Sequence, residues 1–152
     1  MAGEFAFLAQ SSLSVLLDTG SMSHLVWSWA HFWSYDTTCA STVRSANHGV
    51  LETLGCGNCV ALICWSGRTL RVMMRDCLHV PLVVINLLSV GRLVDHGFGC
   101  NFEDNAVTLR TPSSAGRDVF FRRCLDNHLA FVDIEFLLPP VPPLSGDGNP
   151  PP

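Results

Sequence analysis

The sequence predicts a mainly β fold, a small closed or sandwich-like barrel with one short helix. Short apolar or alternating segments recur along the chain, turn-forming residues separate them at close spacing, and only one segment has helical periodicity. The chain has 152 residues, of which 48 % are hydrophobic and 14 % charged. A chain of this size and composition can bury the core of a single domain.

The first predicted strand is buried and ends in an acidic residue. Residues 13–18 form a short apolar run that ends in Asp18, and Thr19-Gly20 supplies a turn directly after it. A charge on an apolar strand is costly unless it is used or compensated. A second apolar piece, HLVWSW (24–29), follows, and Asn47-His48-Gly49 further along predicts a hairpin turn.

The middle of the chain predicts further strands. Strand-like runs in residues 50–65 flank the small centre Gly55-Cys56-Gly57, which can bend a hairpin or let the backbone approach another chain or a ligand. Residues 68–80 alternate between apolar and polar, which predicts a half-buried strand that Pro81 ends. The face predicted to be buried carries Leu70, Val72 and Met74, and the opposite face carries Arg71, Met73 and Arg75.

One short helix is predicted over residues 86–97, where the apolar period changes. Leu87, Val90 and Val94 share a helical face. Asn86 is the expected N-cap and Gly97 the expected terminator, because these residue types favour those positions.

The remaining segments predict a hairpin, a strand pair and a tail. FGCNF (98–102) and AVTLR (106–110) flank turn residues, and a further strand pair is predicted around VFFRR (119–123) and HLAFVD (128–133). The predicted organisation is an N-terminal extension (1–12), a β-barrel domain (13–135) and a proline-rich disordered tail (136–152).

Charge and hydropathy exclude several classes of partner. The net charge of -4 argues against a nucleic-acid-binding surface. The first fifteen residues lack a basic region and contain Glu4, unlike a secretory signal. The longest apolar stretch, VPLVVINLLSV (80–90), is short for a membrane span. We therefore expect an intracellular, cytoplasmic protein whose seven cysteines are buried, reduced thiols.

Asp18-Thr19-Gly20 after an apolar strand is typical of an aspartic protease loop. In that chemistry two carboxylates flank a water and share one proton; one acts as base on the water and the other as acid toward the scissile carbonyl. The hydroxyl residue fixes the loop, and the glycine lets two such loops meet backbone to backbone. A lone Asp before Thr-Gly is more often a turn or cap residue, so both interpretations stay open on the tripeptide alone.

Four ordered stretches resemble the protease-like β-barrel segment of Copia-type retrotransposon Pol polyproteins. They are LLDTGSMSHLV (16–26), LGCGNCVAL (54–62), LRVMMRDCLHVP (70–81) and NLLSVGRLVDHGFGCNF (86–102). The family pattern has, in this order, an Asp-(Ser/Thr)-Gly loop followed by a histidine, a Gly-x-Gly strand, a strand end before proline, and an Asn-Leu-Leu-Ser-Val segment. The resemblance covers roughly residues 13–135.

This resemblance implies a retropepsin-like closed barrel and an aspartic endopeptidase that processes a polyprotein without a metal or other cofactor. Asp18 would be the catalytic carboxylate, with Thr19, Gly20 and Ser21 as its loop. Gly55, Cys56 and Gly57 would lie in or near a flap over the substrate. Leu87, Leu88 and Ser89 would support the active-site loop. The stretch NHLAFVD (127–133) would lie at the junction with a following segment.

The number of Asp-(Ser/Thr)-Gly motifs predicts that the second carboxylate comes from another copy of the chain. No second Asp-(Ser/Thr)-Gly occurs, so a dyad acting on a polypeptide substrate requires a homodimer. The pair Ser21-Met22 departs from the family's usual Ala-Ser or Ala-Thr, and the larger Met22 would perturb the loop. The alternative is a catalytically inactive retroelement-derived barrel that serves as a structural or interaction module.

Two other chemistries are weaker alternatives. Cys56, Cys59, Cys77 and His79 offer ligand types for zinc, although the second pair lacks the usual finger spacing. Serine residues lie near His24, but the chain has no Gly-x-Ser-x-Gly motif for a serine hydrolase.

Overall fold

The computed structural model describes residues 14–44, 49–112 and 118–144. Over these residues the fold is mainly β with one short α-helix, α1 (Val90–Asp95), and a 3₁₀ turn at Trp29–His31. The strands are β1 (Ser14–Asp18), β2 (Leu25–Val26), β3 (Ser41–Arg44), β4 (Val50–Thr53), β5 (Gly55–Trp65), β6 (Arg68–His79), β7 (Leu87–Ser89), β8 (Gly99–Glu103), β9 (Ala106–Arg110), β10 (Val119–Cys124) and β11 (Ala130–Leu137).

Six strands pair around a barrel-like ring in the order β1-β11-β5-β6-β2-β7, and β7 returns to β1. The shortest strand of the ring is the two-residue β2. Its Leu25 pairs with Leu78 of β6 on one side and with Leu87 of β7 on the other. Strands β1 and β7 are parallel and place Asp18 opposite Ser89. The predicted mainly β, barrel-like fold with one short helix is confirmed.

Apolar side chains at alternate positions along the strands fill the barrel interior. In β6, Val72 and Met74 are buried while Arg71 is exposed, as the sequence pattern predicts. The alternation shifts at Asp76, whose φ is +53°, and the opposing ladder shifts register in β5. This bulge turns Cys77 inward, because an extra residue in one strand reverses the face of those that follow. Strand β6 then ends before Pro81, as predicted.

The predicted helix is shorter at its N-terminal end than expected. Residues 87–89 form β7 instead, and Ser89 is the cap, its Oγ accepting a hydrogen bond from Arg92 N at 3.2 Å. The predicted cap, Asn86, accepts a hydrogen bond from Trp27 N at 2.9 Å. Pairing of β7 between β1 and β2 overrides the local helical pattern, since it completes the barrel wall.

Turn residues behave as their chemistry predicts. Gly97 ends α1 with φ +91°, and Phe98 N donates to Leu93 O at 3.0 Å, which is the pattern of a Schellman motif. Asp104 and Asn105 both have positive φ between β8 and β9, which confirms the predicted hairpin.

The last two strands form as predicted, but they do not pair with each other. Strand β10 pairs with β9 in a three-stranded sheet, whereas β11 pairs with both β1 and β5. Residues 127–133, expected at a junction, therefore run into the barrel wall, and β11 continues to Leu137, past the predicted boundary at residue 135. The apolar alternation of β11 suits any half-buried wall and does not specify its neighbours.

Three sequence predictions fall at least partly outside the described residues. The N-terminal extension (1–12), the turn residues Asn47 and His48, and residues 145–152 of the tail belong to this group. The first two residues of the predicted tail, Phe136 and Leu137, belong to β11, and Trp33 Nε1 donates to Leu137 O at 2.8 Å.

Candidate active site

The candidate site forms where β1 ends. Asp18 Oδ1 accepts a hydrogen bond from Gly20 N at 2.8 Å, which folds Asp18-Thr19-Gly20 into a tight turn. Thr19 and Gly20 are exposed, and Asp18 is half-buried. The carboxyl group is thus oriented by its own loop while the loop itself faces solvent.

Ser89 ties this loop to the barrel and to the helix. Its backbone N donates to His24 Nδ1 at 2.9 Å, and its Oγ donates to Ser21 O at 2.6 Å. The same Oγ caps α1 through Arg92 N, and Ser89 is completely buried. One residue therefore fixes the end of β1, the loop after it and the start of the helix.

The other two residues predicted to support the loop lie directly beside β1. Leu87 pairs with Leu16 and Leu88 with Leu17 in the parallel ladder. Leu88 and Leu17 are also part of the buried core. The structure therefore brings together Asp18, its loop and the segment 87–89.

His24 is held neutral within this network. It is 2 % exposed, and burial lowers its pKa to about 4, with the positive charges of Arg92 and His96 adding smaller effects in the same direction. Because Nδ1 accepts the Ser89 N–H, the ring proton lies on Nε2. Ser21 Oγ donates to Ser23 O at 2.6 Å, so neither group forms the nucleophile–base pair of a serine hydrolase.

Arg92 is a site residue that the sequence predictions did not name. Its Nε donates to Met22 O at 3.1 Å, and its Nη1 lies 3.9 Å from Asp76 Oδ2. The Met22 side chain is 88 % exposed, so it projects away from the loop rather than into it. The expected perturbation of the loop by Met22 stays a prediction. The useful signal for Arg92 was a lone basic residue in the helix that follows the loop-supporting strand.

The Gly55-Cys56-Gly57 centre lies inside β5, so the first of its two expected roles, a hairpin bend, is wrong. Its role in a flap stays a prediction. Gly55 pairs with His79 of β6, and Gly57 pairs with Cys77. An added Cβ at Gly57 would lie 1.8 Å from the backbone oxygen of Ser34. The glycines therefore let residues 32–36 lie against β5.

A side-chain pair fills the space beside Gly55. An added Cβ at Gly55 would lie 2.5 Å from the Tyr35 ring, and Tyr35 OH hydrogen-bonds His79 Nδ1 at 2.6 Å. Both side chains are buried, and burial lowers the pKa of His79. His79 therefore belongs to a packed core contact.

The cysteines divide into two groups. Cys39 and Cys56 form a disulfide, which corrects the expectation of reduced thiols and prevents Cys56 from serving as a zinc ligand. Cys59 and Cys77 are free and completely buried, as expected, and burial raises the pKa of Cys59. The other free cysteines are not fully buried, and the expectation of burial is wrong for the exposed Cys124. Among the described residues, no three His, Cys, Asp or Glu side chains are grouped to hold a metal.

A family model described as Pol polyprotein, beta-barrel domain matches residues 15–98. The matched segment contains Asp18, its loop, β7 and α1, and it ends before β8. Comparisons with curated proteins and with solved structures give no match. Within the described ranges, no helix is long and apolar enough to cross a membrane.

Proposed function

The chain belongs to the family of Pol polyprotein beta-barrel domains, which makes it a retroelement Pol-derived protein, and we propose that it is a Copia-type aspartic endopeptidase. In this proposal the protein acts as a homodimer on a polypeptide substrate inside the cell. The observation that carries the proposal is the placement of Asp18: its carboxyl group ends a barrel strand, beside a buried serine that fixes the exposed loop.

The carboxyl group has the properties that a dyad needs. The Gly20 N–H fixes one oxygen of Asp18, which sets the orientation of the group. Asp18 is half-buried, and this partial exposure supports access by water and by a second chain. Two such groups, one from each chain, would share a proton because adjacent like charges cannot both ionise cheaply.

The reaction then follows from the shared proton. The ionised Asp18 takes a proton from the water as it attacks the scissile carbonyl, and the protonated Asp18 of the second chain donates its proton to the carbonyl oxygen. The resulting tetrahedral species collapses with transfer of a proton to the leaving nitrogen. The peptide bond breaks, and one water molecule is consumed.

Gly20 supports a close approach of two chains. An added Cβ would meet only Asp18 Oδ1, at 3.4 Å, so the chain's own packing has room for a side chain here. The loop faces solvent, and packing within the chain does not require glycine at this position. Glycine here suits contact with the backbone of a neighbouring chain. In the dimer, the exposed Met22 would lie near the same contact.

The proposal is tested by peptide cleavage at mildly acidic pH with purified protein of known mass in solution. We expect the wild type to dimerise and cleave, and Asp18→Asn to remain folded without cleavage. Asp95→Asn changes an exposed carboxylate on α1 and serves as the matched control, with cleavage unchanged.

Two outcomes contradict the proposal. A strict monomer that cleaves nothing, or cleavage that Asp18→Asn leaves intact, excludes the dyad mechanism. A folded dimer without any cleavage favours the alternative function, a catalytically inactive barrel that acts as a structural or interaction module.

A further inference from the structure

We propose that Cys39 and Cys56 form a reversible thiol–disulfide site that controls how firmly the β3–β4 hairpin is attached to the barrel. The inference does not depend on the endopeptidase activity, since it rests on the connection between residues 32–40, the hairpin and β5. It concerns the two cysteines that the structure joins out of the seven in the chain.

Among the described residues of the segment 32–44, Asp36 is the last whose backbone hydrogen-bonds to β5. Trp33 N donates to Asn58 O at 2.8 Å. Asp36 N donates to Cys56 O at 2.8 Å, and Cys56 N donates to Asp36 O at 2.9 Å. These bonds use no sulfur atom, so reduction of the disulfide leaves this part of the attachment in place.

The hairpin leaves the barrel directly after this last backbone bridge. Strands β3 and β4 pair with each other in a separate two-stranded sheet, and an isolated hairpin of this kind is marginally stable. The Cys39–Cys56 disulfide joins positions 17 residues apart in sequence and closes the loop that contains the hairpin. Strand β4 already continues through Leu54 into β5, so the disulfide adds a second covalent restraint, on the β3 side of the hairpin base.

Exposure separates this pair of cysteines from the thiols of the core. Cys39 and Cys56 are both half-buried, whereas Cys59 and Cys77 are completely buried. A small dithiol can therefore attack the disulfide without opening the barrel. Its first thiolate forms a mixed disulfide and its second displaces the protein thiolate; the reagent becomes a cyclic disulfide, and the two cysteines together gain two electrons and two protons.

The barrel does not need the disulfide for its own strand pairing. The β5–β6 ladder continues from Gly55 opposite His79 to Trp65 opposite Arg68, and β11 holds the other side of β5. Reduction should therefore loosen residues 37–44 and 50–53 and leave the ring of six strands intact.

Limited trypsin digestion tests this difference within one sample. Arg44 lies in the hairpin strand β3, and Arg71 lies in the barrel strand β6. Cleavage is measured by mass spectrometry after the digest is quenched and fully reduced, because the disulfide holds the two cut pieces together. We expect reduction to raise the rate of cleavage after Arg44 by about tenfold or more, with cleavage after Arg71 unchanged.

A cysteine variant and its control test independently whether loss of the disulfide loosens the hairpin. Cys39→Ser should be cut after Arg44 as fast as the reduced wild type, with or without reductant. Cys124→Ser removes an exposed free thiol and should behave as the wild type does.

Equal cleavage after Arg44 in oxidised and reduced protein overturns the proposal, as does cleavage after Arg71 that rises in parallel. Alkylation of both Cys39 and Cys56 after treatment with oxidised glutathione overturns it as well, since the disulfide would then not form.

Discussion

Asp18 and Ser89 lie opposite each other on the parallel strands β1 and β7, and Ser89 Oγ reaches past the strand end to hydrogen-bond Ser21 O at 2.6 Å. This relationship makes the support of the candidate catalytic loop a property of the barrel itself. The loop after Asp18 and the cap of α1 share one buried hydroxyl group, so a change at Ser89 affects both.

Ser89→Ala is expected to lower the free energy of unfolding by about 1–3 kcal/mol, because it removes a helix cap and leaves the partly buried Ser21 carbonyl without its donor. Denaturant unfolding at neutral pH measures the change. The matched control is Ser14→Ala, which removes an exposed side-chain hydrogen bond to Asp133. Its effect should stay within about 0.5 kcal/mol. Equal losses in the two variants would contradict the shared role of Ser89.

Acid should destabilise the protein through His24. The folded pKa of about 4 lies below the ordinary value of 6.5, so the unfolded chain binds more protons between these values. Stability therefore rises with pH from about 4 to about 6.5 and is flat above that for this group, with a total contribution of about 3 kcal/mol.

The contribution of His24 is isolated by comparing variants across this pH range. His24→Gln keeps an acceptor for Ser89 N and does not titrate, so the gap between its stability and that of the wild type should narrow as the pH falls. His128→Gln, which changes an exposed histidine, should follow the wild-type curve. A constant gap between His24→Gln and wild type from pH 7 to pH 4 would contradict the assignment.

Two glycine substitutions should distinguish a glycine required for packing within the chain from one required for contact between two chains. Gly57→Ala is expected to cost about 2–3 kcal/mol of stability, because the new Cβ meets the Ser34 backbone oxygen. Gly20→Ala should change stability by less than about 0.5 kcal/mol and still weaken dimerisation, because the chain itself has room for the methyl group. Thermal unfolding and sedimentation of both variants check this, and a large loss of stability in Gly20→Ala is the contrary result.

The chain should require β11 to fold, although the matched family segment ends at residue 98. Strand β11 lies between β1 and β5, so a chain ending at residue 98 leaves both of their edges unpaired. We expect that truncated chain to lose cooperative thermal unfolding, whereas a chain ending at residue 144 retains it. Cooperative unfolding of the shorter chain would show that β11 is dispensable.

Much of the wall could be predicted from the sequence because alternation is a local property. Val72 and Met74 alternate with the exposed Arg71, Met73 and Arg75, and this pattern predicts the two faces of β6. Gly97 likewise predicts the end of α1. The same local pattern misassigned Leu87 to a helix, since its strand pairing with Leu16 depends on a segment far away in sequence.

The parts of the site that could not be predicted depend on long-range contacts. The bond from Arg92 to Met22 O joins residues whose approach only the barrel creates. The Cys39–Cys56 disulfide likewise depends on how residues 32–36 lie against β5, and cysteine spacing does not specify a connectivity. Asp18 could be selected because its motif and the segment 87–89 both carry the family pattern.

The central claim is that each chain supplies one carboxyl group of a catalytic dyad, and mixing wild type with Asp18→Asn tests it most directly. Both proteins are combined at equal concentration under conditions that allow chains to exchange, and peptide cleavage is compared with wild type alone at the same total concentration. The account predicts about one quarter of the activity, since only dimers of two wild-type chains carry two carboxyl groups. Activity of one half, proportional to the wild-type chain present, would contradict it.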